Sequence, residues 1–555
     1  MEPLSLQLNE AMYLVLAIAG AFFLAVVLSW RGIQLPLLSA IRSLLSLAVV
    51  VVFLILLLIW GSVSPVTVPR WLGEIGIIAL FFALSLCVLS YLIHGPGGRW
   101  ALGILVAVAV ACMYFDINDN HTIRVVSSIA PVSPGLAPDF KEWLRSRGDR
   151  ERYSERSYPV YIVAAEGGGI YAAYHAAVVL ARLQDQCPNF AQHVFAISSV
   201  SGGSLGAATF AGLTEKMAQN GPAQGCAPVT QGPFERLTDR LLAEDHLSPT
   251  IWGLLFPDFL QRFLPIPLRS LDRARWLEAS FERSWRRIAQ SRYFEQPLMR
   301  SYSPSAATPA LLMNTTEVSS GQRIVITGFR LDGVLEMDGV QTINSLLDPN
   351  KSDLLVSTAA GLSARFPWLS PAGSVPGTTR KLVDGGYFEN SGVETALDLI
   401  RSLKAIAGEA HERVAIRLIV MESATDDTPW RGFSEALAPV HTMLNARGTR
   451  GTVARVRAWR ELCPRCTPIM VSGDAIFPRT VRGATPAAEP VIWHVLDGLS
   501  DPLPLGWHLG AASQNKIRAQ TGEMDKCMVG TGLTAYNGCA LTQIADEIVH
   551  GAADP

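Results

Sequence analysis

Pro159-Val160-Tyr161-Ile162-Val163-Ala164-Ala165-Glu166-Gly167-Gly168-Gly169-Ile170 changes character as it runs. A short apolar, β-branched run gives way to three glycines, and Ile170 to Leu183 then places apolar residues at helical spacing. The stretch reads as a buried strand, a tight turn and a helix. The same sentence is spelled again soon after: His193 to Ser198 as strand, Ser199-Val200-Ser201-Gly202-Gly203-Ser204 as turn, and Leu205 to Met217 as helix. Two strand-turn-helix units in succession predict an α/β domain with a mainly parallel sheet, because parallel neighbours need a crossover between them. Further strands are expected at Ala310 to Asn314, Arg323 to Gly328, Lys381 to Val383 and Val414 to Met421. Helices are expected at Glu394 to Leu403, Leu437 to Trp459 and Ala511 to Gln520.

Upstream of this domain the chain is of another kind. Residues 1–115 carry only Glu2, Glu10, Arg31, Arg42, Arg70, Glu74 and Arg99 as charged side chains. Four uncharged apolar runs fill the rest: Ala11 to Trp30, Ser43 to Trp60, Ile75 to Ile93 and Trp100 to Phe115. At about 1.5 Å per helical residue the first three reach roughly 27 to 30 Å, the thickness of a hydrocarbon core; the fourth needs its flanks. Trp30, Trp60, Trp71, Tyr91, Trp100 and Tyr114 stand near the run ends, where amphipathic rings favour the interface. The expectation is a membrane domain over 1–115 with four transmembrane α-helices, a polar connector over 116–157, and a soluble domain over 158–555. A cleaved signal peptide fits worse, since the basic n-region is missing from Met1-Glu2-Pro3. Four spans put the N-terminus and the soluble domain on one side of the membrane. Arg31, Arg42 and Arg99 against Arg70 and Arg124 place that side outside the cytoplasm.

The formal net charge of −2, from 46 Lys+Arg against 48 Asp+Glu, supplies no basic field for duplex nucleic acid. Of the eight cysteines, Cys87 and Cys112 fall in apolar runs. The others, Cys187, Cys226, Cys463, Cys466, Cys527 and Cys539, permit disulfides in an oxidising compartment or buried thiols. Cys463-Pro464-Arg465-Cys466 has the spacing of half a zinc site, but no second half follows it. No calcium-loop spacing of acidic residues occurs either, so neither metal nor cofactor is expected. An insertion near 219–308 is rich in Pro, Trp, Arg and Phe, as in Trp252-Gly253-Leu254-Leu255-Phe256-Pro257. It reads either as a cap or lipid entrance, or as a helical subdomain away from substrate.

Three places supply the parts of a serine hydrolase. A serine hydroxyl is a weak nucleophile until a base takes its proton and dipoles await the oxyanion. Ser201 sits at the tip of the second turn in a small-x-Ser-x-Gly pattern, with Ser199 and Gly203 as the small neighbours that let the backbone bend. Gly167, Gly168 and Gly169 open a helix and can aim backbone N–H groups at one oxygen. The other readings of that triplet are a phosphate cradle or a plain turn, but no Gly-Lys-Ser/Thr completes a nucleotide site. Asp384, in Leu382-Val383-Asp384-Gly385-Gly386-Tyr387-Phe388-Glu389-Asn390-Ser391-Gly392, stands at a strand end before two glycines. It can serve as the base for Ser201 or cap the helix that begins near Val393.

In this order the three parts resemble the patatin-like phospholipases, lipid acyl hydrolases with a Ser-Asp dyad. The resemblance runs from about Pro159 to Met421 and takes in Ser357-Thr358-Ala359-Ala360-Gly361-Leu362-Ser363-Ala364-Arg365-Phe366-Pro367, similar to the family's small-residue helix ending in Phe-Pro. It implies a three-layer domain, Ser201 as nucleophile, Asp384 as base, and Gly167, Gly168 and Gly169 as the oxyanion loop, with Gly385 and Gly386 completing the aspartate motif. Two positions depart from the family: Ser199 where it usually has Gly, and Tyr171 where it often has Arg or Lys. Ser199 and Ser204 are minor rivals for the nucleophile, and His441, His494 and His508 would permit a Ser-Asp-His order.

The implied substrate is a membrane phospholipid or another acyl lipid, cleaved through an acyl-enzyme. An acyltransferase or thioesterase would use the same dyad. A domain that only binds lipid or a protein partner is the reading from a different class. The extension from about Leu437 onward, including Pro504-Leu505-Gly506-Trp507-His508-Leu509, has no chemical role in this scheme.

Overall fold

The computed structural model describes residues 64–552 apart from 95–96, 128–132, 219, 332–339, 367–368, 426–433, 464–490, 498–502 and 523–532. The chain divides into two compact units: one takes the described residues up to His121 together with Asp245–Ser280, the other Thr122–Glu244 and Phe281–Pro555.

In the first unit, α1 (Thr67–His94) and α2 (Gly98–Tyr114) cover the third and fourth apolar runs. With 28 residues, α1 is long and apolar enough to cross a membrane; among the described residues no other helix is. At 17 residues, α2 is shorter than a span needs without tilt-free packing or flanking help. The runs Ala11–Trp30 and Ser43–Trp60 lie outside the described residues. One membrane-length helix, rather than four, is what the described residues support.

α1 is not uniform along its length. Gly73, at φ 68° and ψ 163°, interrupts the helical backbone near its start. Around this break Arg70 donates to Asp245 O and Ser280 Oγ, and Ser248 Oγ donates to Glu74. Ile77 then packs with Trp252, Phe256 and Trp276 of the insertion. The middle of the insertion thus belongs to the first unit.

The second unit is built on a twisted sheet of β1 (Tyr158–Ala165), β2 (Val194–Val200), β3 (Ala310–Glu317), β4 (Arg323–Thr327), β5 (Gln341–Thr342), β6 (Lys381–Asp384), β7 (Val414–Thr425) and β8 (Val491–Asp497), joined by the two-residue strand Gly373–Ser374. Its main order is β8-β7-β1-β2-β3-β4-β5, with β6 pairing β3. From β8 through β3 every neighbour is parallel, as the doubled strand-turn-helix pattern requires; β4 and β6 run antiparallel to β3.

α3 (Gly169–Gln186) and α4 (Gly202–Met217) are the crossover helices of the two units read from sequence. Every residue of β1 and β2 is buried, so their continuous apolar runs are covered on both faces. Phe140, Trp143, Ile162, Phe195, Leu312, Leu397 and Ile400 form the main core on one side, with α5 (Val393–Glu409) contributing its apolar stripe. Each fully buried Leu, Ile, Val or Phe there stabilises the fold by about 1.5–3 kcal/mol. Cys187 and Cys226 form a disulfide at the end of α3, and Cys463 and Cys539 are each disulfide-bonded as well. Cys463 is therefore not held as a free zinc-binding thiolate.

Candidate active site

β2 ends at Val200 and α4 starts at Gly202, so Ser201 carries the whole reversal between them. It does so at φ 51° and ψ −124°, a region that a side chain with a Cβ enters only under strain. The glycines beside it are demanded by close approach. A Cβ on Gly202 would lie 1.8 Å from Gly169 O, and one on Gly203 would lie 2.4 Å from Ala165 O. Ser201 Oγ donates a 2.7 Å hydrogen bond to Asp384 Oδ2. Both residues are buried, at 6% and 1% exposure.

β3 explains how residues so distant in sequence meet. Its Asn314 pairs with Val200 of β2, and the next residue, Thr315, pairs with Asp384 of β6. The ends of β2 and β6 are thereby delivered to adjacent register positions along the same edge of one strand, the edge opposite to β4. Gly385 is needed there because a Cβ would lie 2.3 Å from Asn314 O. Asp384 Oδ1 accepts the Gly386 N–H at 2.8 Å, which caps the short turn Gly385–Tyr387 and aims the other carboxylate oxygen at Ser201. Asp384 is thus a cap and a partner of Ser201 at once.

The triple-glycine loop lies against this pair. The Cβ position of Gly167 is 3.0 Å from Ser201 Cβ, and Gly169 adopts φ 65°. The three glycines are not equivalent. Gly167 N–H donates to Asn390 O at 2.9 Å and so is already engaged. Among the described residues, Gly168 and Gly169 N–H have no such acceptor. Tyr171, where the resemblance led one to look for a cation, folds back so that its Oη is 2.6 Å from the Cβ position of Gly168. Ser199 Oγ accepts from Ser204 Oγ at 2.9 Å, and Ser204 Oγ also meets Ser363 Oγ at 2.8 Å, so both rival serines are tied into a buried hydroxyl chain.

Several residues that sequence reasoning did not single out hold the site. Asn314 Nδ2 donates to Ser198 Oγ and to Ser199 O, fixing the strand that leads into the turn. Ser363 Oγ accepts the Ser201 N–H at 3.1 Å and donates to Asn314 O at 2.6 Å. Asn390 clamps the glycine loop twice, its backbone O on Gly167 N–H and its Nδ2 on Gly167 O at 3.1 Å. Ser363 and Asn390 lie inside motifs already quoted, and only non-local pairing reveals what they do.

The C-terminal extension also reaches the loop. Gly506 O accepts the Ile170 N–H at 3.0 Å, and Leu505 O would be 1.8 Å from a Cβ on Gly169. Arg455 pairs with Glu422 at 2.6 Å, where burial pushes the Glu422 carboxyl up and Arg455 opposes it. Burial likewise raises the Glu389 carboxyl, against the N–H and hydroxyl of Ser391 that favour its charged form.

The family model of the patatin-like phospholipases matches residues 163–397. Those residues form a patatin-like phospholipase domain. The match takes in the whole Ser201–Asp384 pair and the glycine loop, and it supports lipid acyl hydrolysis as the chemistry of the domain. The extension that contributes Gly506 lies beyond the matched residues. No curated protein matches the chain. Among solved structures, VipD from Legionella pneumophila aligns over 70% of this chain and 67% of its own at 10% identity, with a TM-score of 0.26.

Proposed function

We propose that the protein is a membrane-anchored serine lipid acyl hydrolase that cleaves carboxylic esters of phospholipids or related acyl lipids through Ser201 and Asp384. The observation that carries this reading is the 2.7 Å bond between the two side chains, with Ser201 held at positive φ between a strand and a helix. Asp384 Oδ2 accepts the Ser201 proton as Oγ attacks the ester carbonyl. The N–H groups of Gly168, Gly169 and Gly202 receive the oxyanion, helped by the positive ends of α3 and α4. Collapse breaks the ester C–O bond, and Asp384 returns its proton to the departing alcohol, leaving the acyl group on Oγ. Water then attacks this acyl-enzyme, gives a proton to Asp384, and releases fatty acid as Ser201 regains its hydrogen.

α1 anchors the protein in the bilayer that holds its substrate. The Cys187–Cys226 disulfide favours an oxidising compartment for the catalytic domain, in line with the arginine count. The experiment is hydrolysis of mixed phospholipid micelles by purified protein, with free fatty acid as the readout. Release by the wild type and its loss in Ser201→Ala and Asp384→Asn is the expected result. An inert wild type across lipid classes overturns the reading in favour of a lipid- or partner-binding module.

A further inference from the structure

The insertion contains a stretch that is built inside out. Between Asp258 and Leu268 the side chains of Asp258 and Gln261 are hidden and Arg262 is half-buried, while most of the apolar ones face outward. Asp258 and Gln261 are 1% and 0% exposed, whereas Phe259, Leu260, Leu264, Ile266 and Leu268 range from 36% to 63%. Soluble surfaces scatter single apolar residues, but a contiguous run of large ones marks a surface with a partner.

The hidden polar groups serve to lock the stretch in place. Asp258 pairs with Arg273 and with Arg262, and His121 bonds Asp272 at 2.8 Å beside them. Much of the backbone is paired by groups of the same unit. Asn118 Nδ2 donates to Arg262 O, Asn120 Nδ2 to Leu268 O, and Gln261 Nε2 to Ile266 O, while Gln261 Oε1 accepts the Leu268 N–H. The N–H groups of Arg262, Phe263 and Leu264 bond carbonyls three residues back, and Pro265 and Pro267 have no N–H to satisfy. A loop in which two positions lack an N–H and most other backbone donors are paired, with large apolar side chains outward, is suited to the interface of a bilayer, where each unpaired group carries a desolvation cost.

Its position names the partner. Phe81 of α1 meets Phe256 and Phe259 edge-on, at 5.8 and 5.2 Å between centroids. The exposed apolar surface of the loop is therefore continuous with that of α1, where Phe82 and Leu86 are 59% and 65% exposed. Arg269, also exposed, follows Leu268 directly and suits an anionic headgroup.

We infer that Phe259–Leu268 is an interfacial loop whose apolar side chains enter one leaflet of the bilayer beside α1. This rests on the reading that α1 lies in a membrane. The loop is a second hold on the lipid, shallow where α1 is deep, and it fixes how the insertion meets the membrane surface.

The test uses the full-length protein in phosphatidylcholine vesicles containing phosphatidylglycerol. An environment-sensitive fluorescent amino acid is placed at position 266, with position 264 as a second placement, position 82 as the control in α1, and position 320 as a control in a solvent-exposed turn. Lipids brominated on the acyl chain serve as quenchers. Quenching at 266, 264 and 82 with none at 320 is the expected result. Quenching at 82 without quenching at 264 and 266 overturns the loop and leaves the anchor standing. Absence of quenching at all three overturns both.

Discussion

Ser201 Oγ and Asp384 Oδ2 stand 2.7 Å apart although 183 positions separate them in sequence. One intermediate strand brings them together, Asn314 answering to Val200 and Thr315 to Asp384. The pair is thus a product of sheet register, and a slip of one residue in β3 would turn one partner to the other face.

The strain at Ser201 is testable apart from its chemistry. Ser201→Ala and Ser201→Gly both remove the hydroxyl from Asp384, but only glycine is at ease at φ 51°. The glycine variant is expected to be more stable than the alanine variant by about 1–2 kcal/mol, read by urea denaturation, while both lack hydrolase activity. Equal stability would mean that the turn at Ser201 is relaxed.

Gly202→Ala places a methyl 1.8 Å from Gly169 O, where backbone stands on both sides. The elbow and the glycine loop must separate. Hydrolysis is expected to fall about a hundredfold or more, with destabilisation of about 1–3 kcal/mol by thermal melting.

Asn390→Leu removes the side-chain half of the clamp on Gly167 and keeps the backbone half. The loop loses its alignment more than the fold loses its packing. The expected result is a fall in kcat of about 10- to 100-fold with KM changed little, as for a group that acts on the transition state alone. A raised KM with unchanged kcat would assign Asn390 to substrate binding.

How much of this could be read in the chain depends on whether each feature is local. β1, β2, α3 and α4 were legible because a strand-glycine-helix pattern is written in consecutive residues, and Ala511–Gln520 is a helix over the expected span. Ser201, Asp384 and the glycines were legible as motifs. The roles of Ser363, Asn390 and Asn314 were not, since a serine or asparagine acquires a partner only when strands distant in sequence are aligned. β8 was missed because Val491-Ile-Trp-His-Val-Leu-Asp497 lies in a polar, proline-containing neighbourhood that offers no repeated unit. The association of the insertion with α1 was likewise invisible, because Trp252-Gly253-Leu254-Leu255-Phe256-Pro257 fits a cap or a separate helical subdomain equally well until Ile77 is seen beside it.

Glu389 gives a pH signature. Burial raises its folded-state carboxyl above the ordinary value, so the folded chain holds this proton to higher pH than the unfolded chain does. Its contribution to stability is therefore present at low pH and is lost as pH rises through the raised value. Glu389→Gln keeps an acceptor for Ser391 and removes the buried charge. The variant is expected to melt higher than wild type at neutral pH, and the gap is expected to close on acidification toward about pH 4, the unfolded value for Glu. A gap that is constant with pH would show that the carboxylate carries no desolvation cost.

Whether Ser201 is an activated nucleophile is read most directly by covalent labelling of the intact protein in detergent with a fluorophosphonate, followed by mass spectrometry of the modified peptide. One adduct is expected, on Ser201, formed in the wild type, absent in Ser201→Ala, and slowed by at least about a hundredfold in Asp384→Asn, where the base is removed. An unlabelled wild type, or an adduct on Ser199 or Ser204 instead, would contradict it.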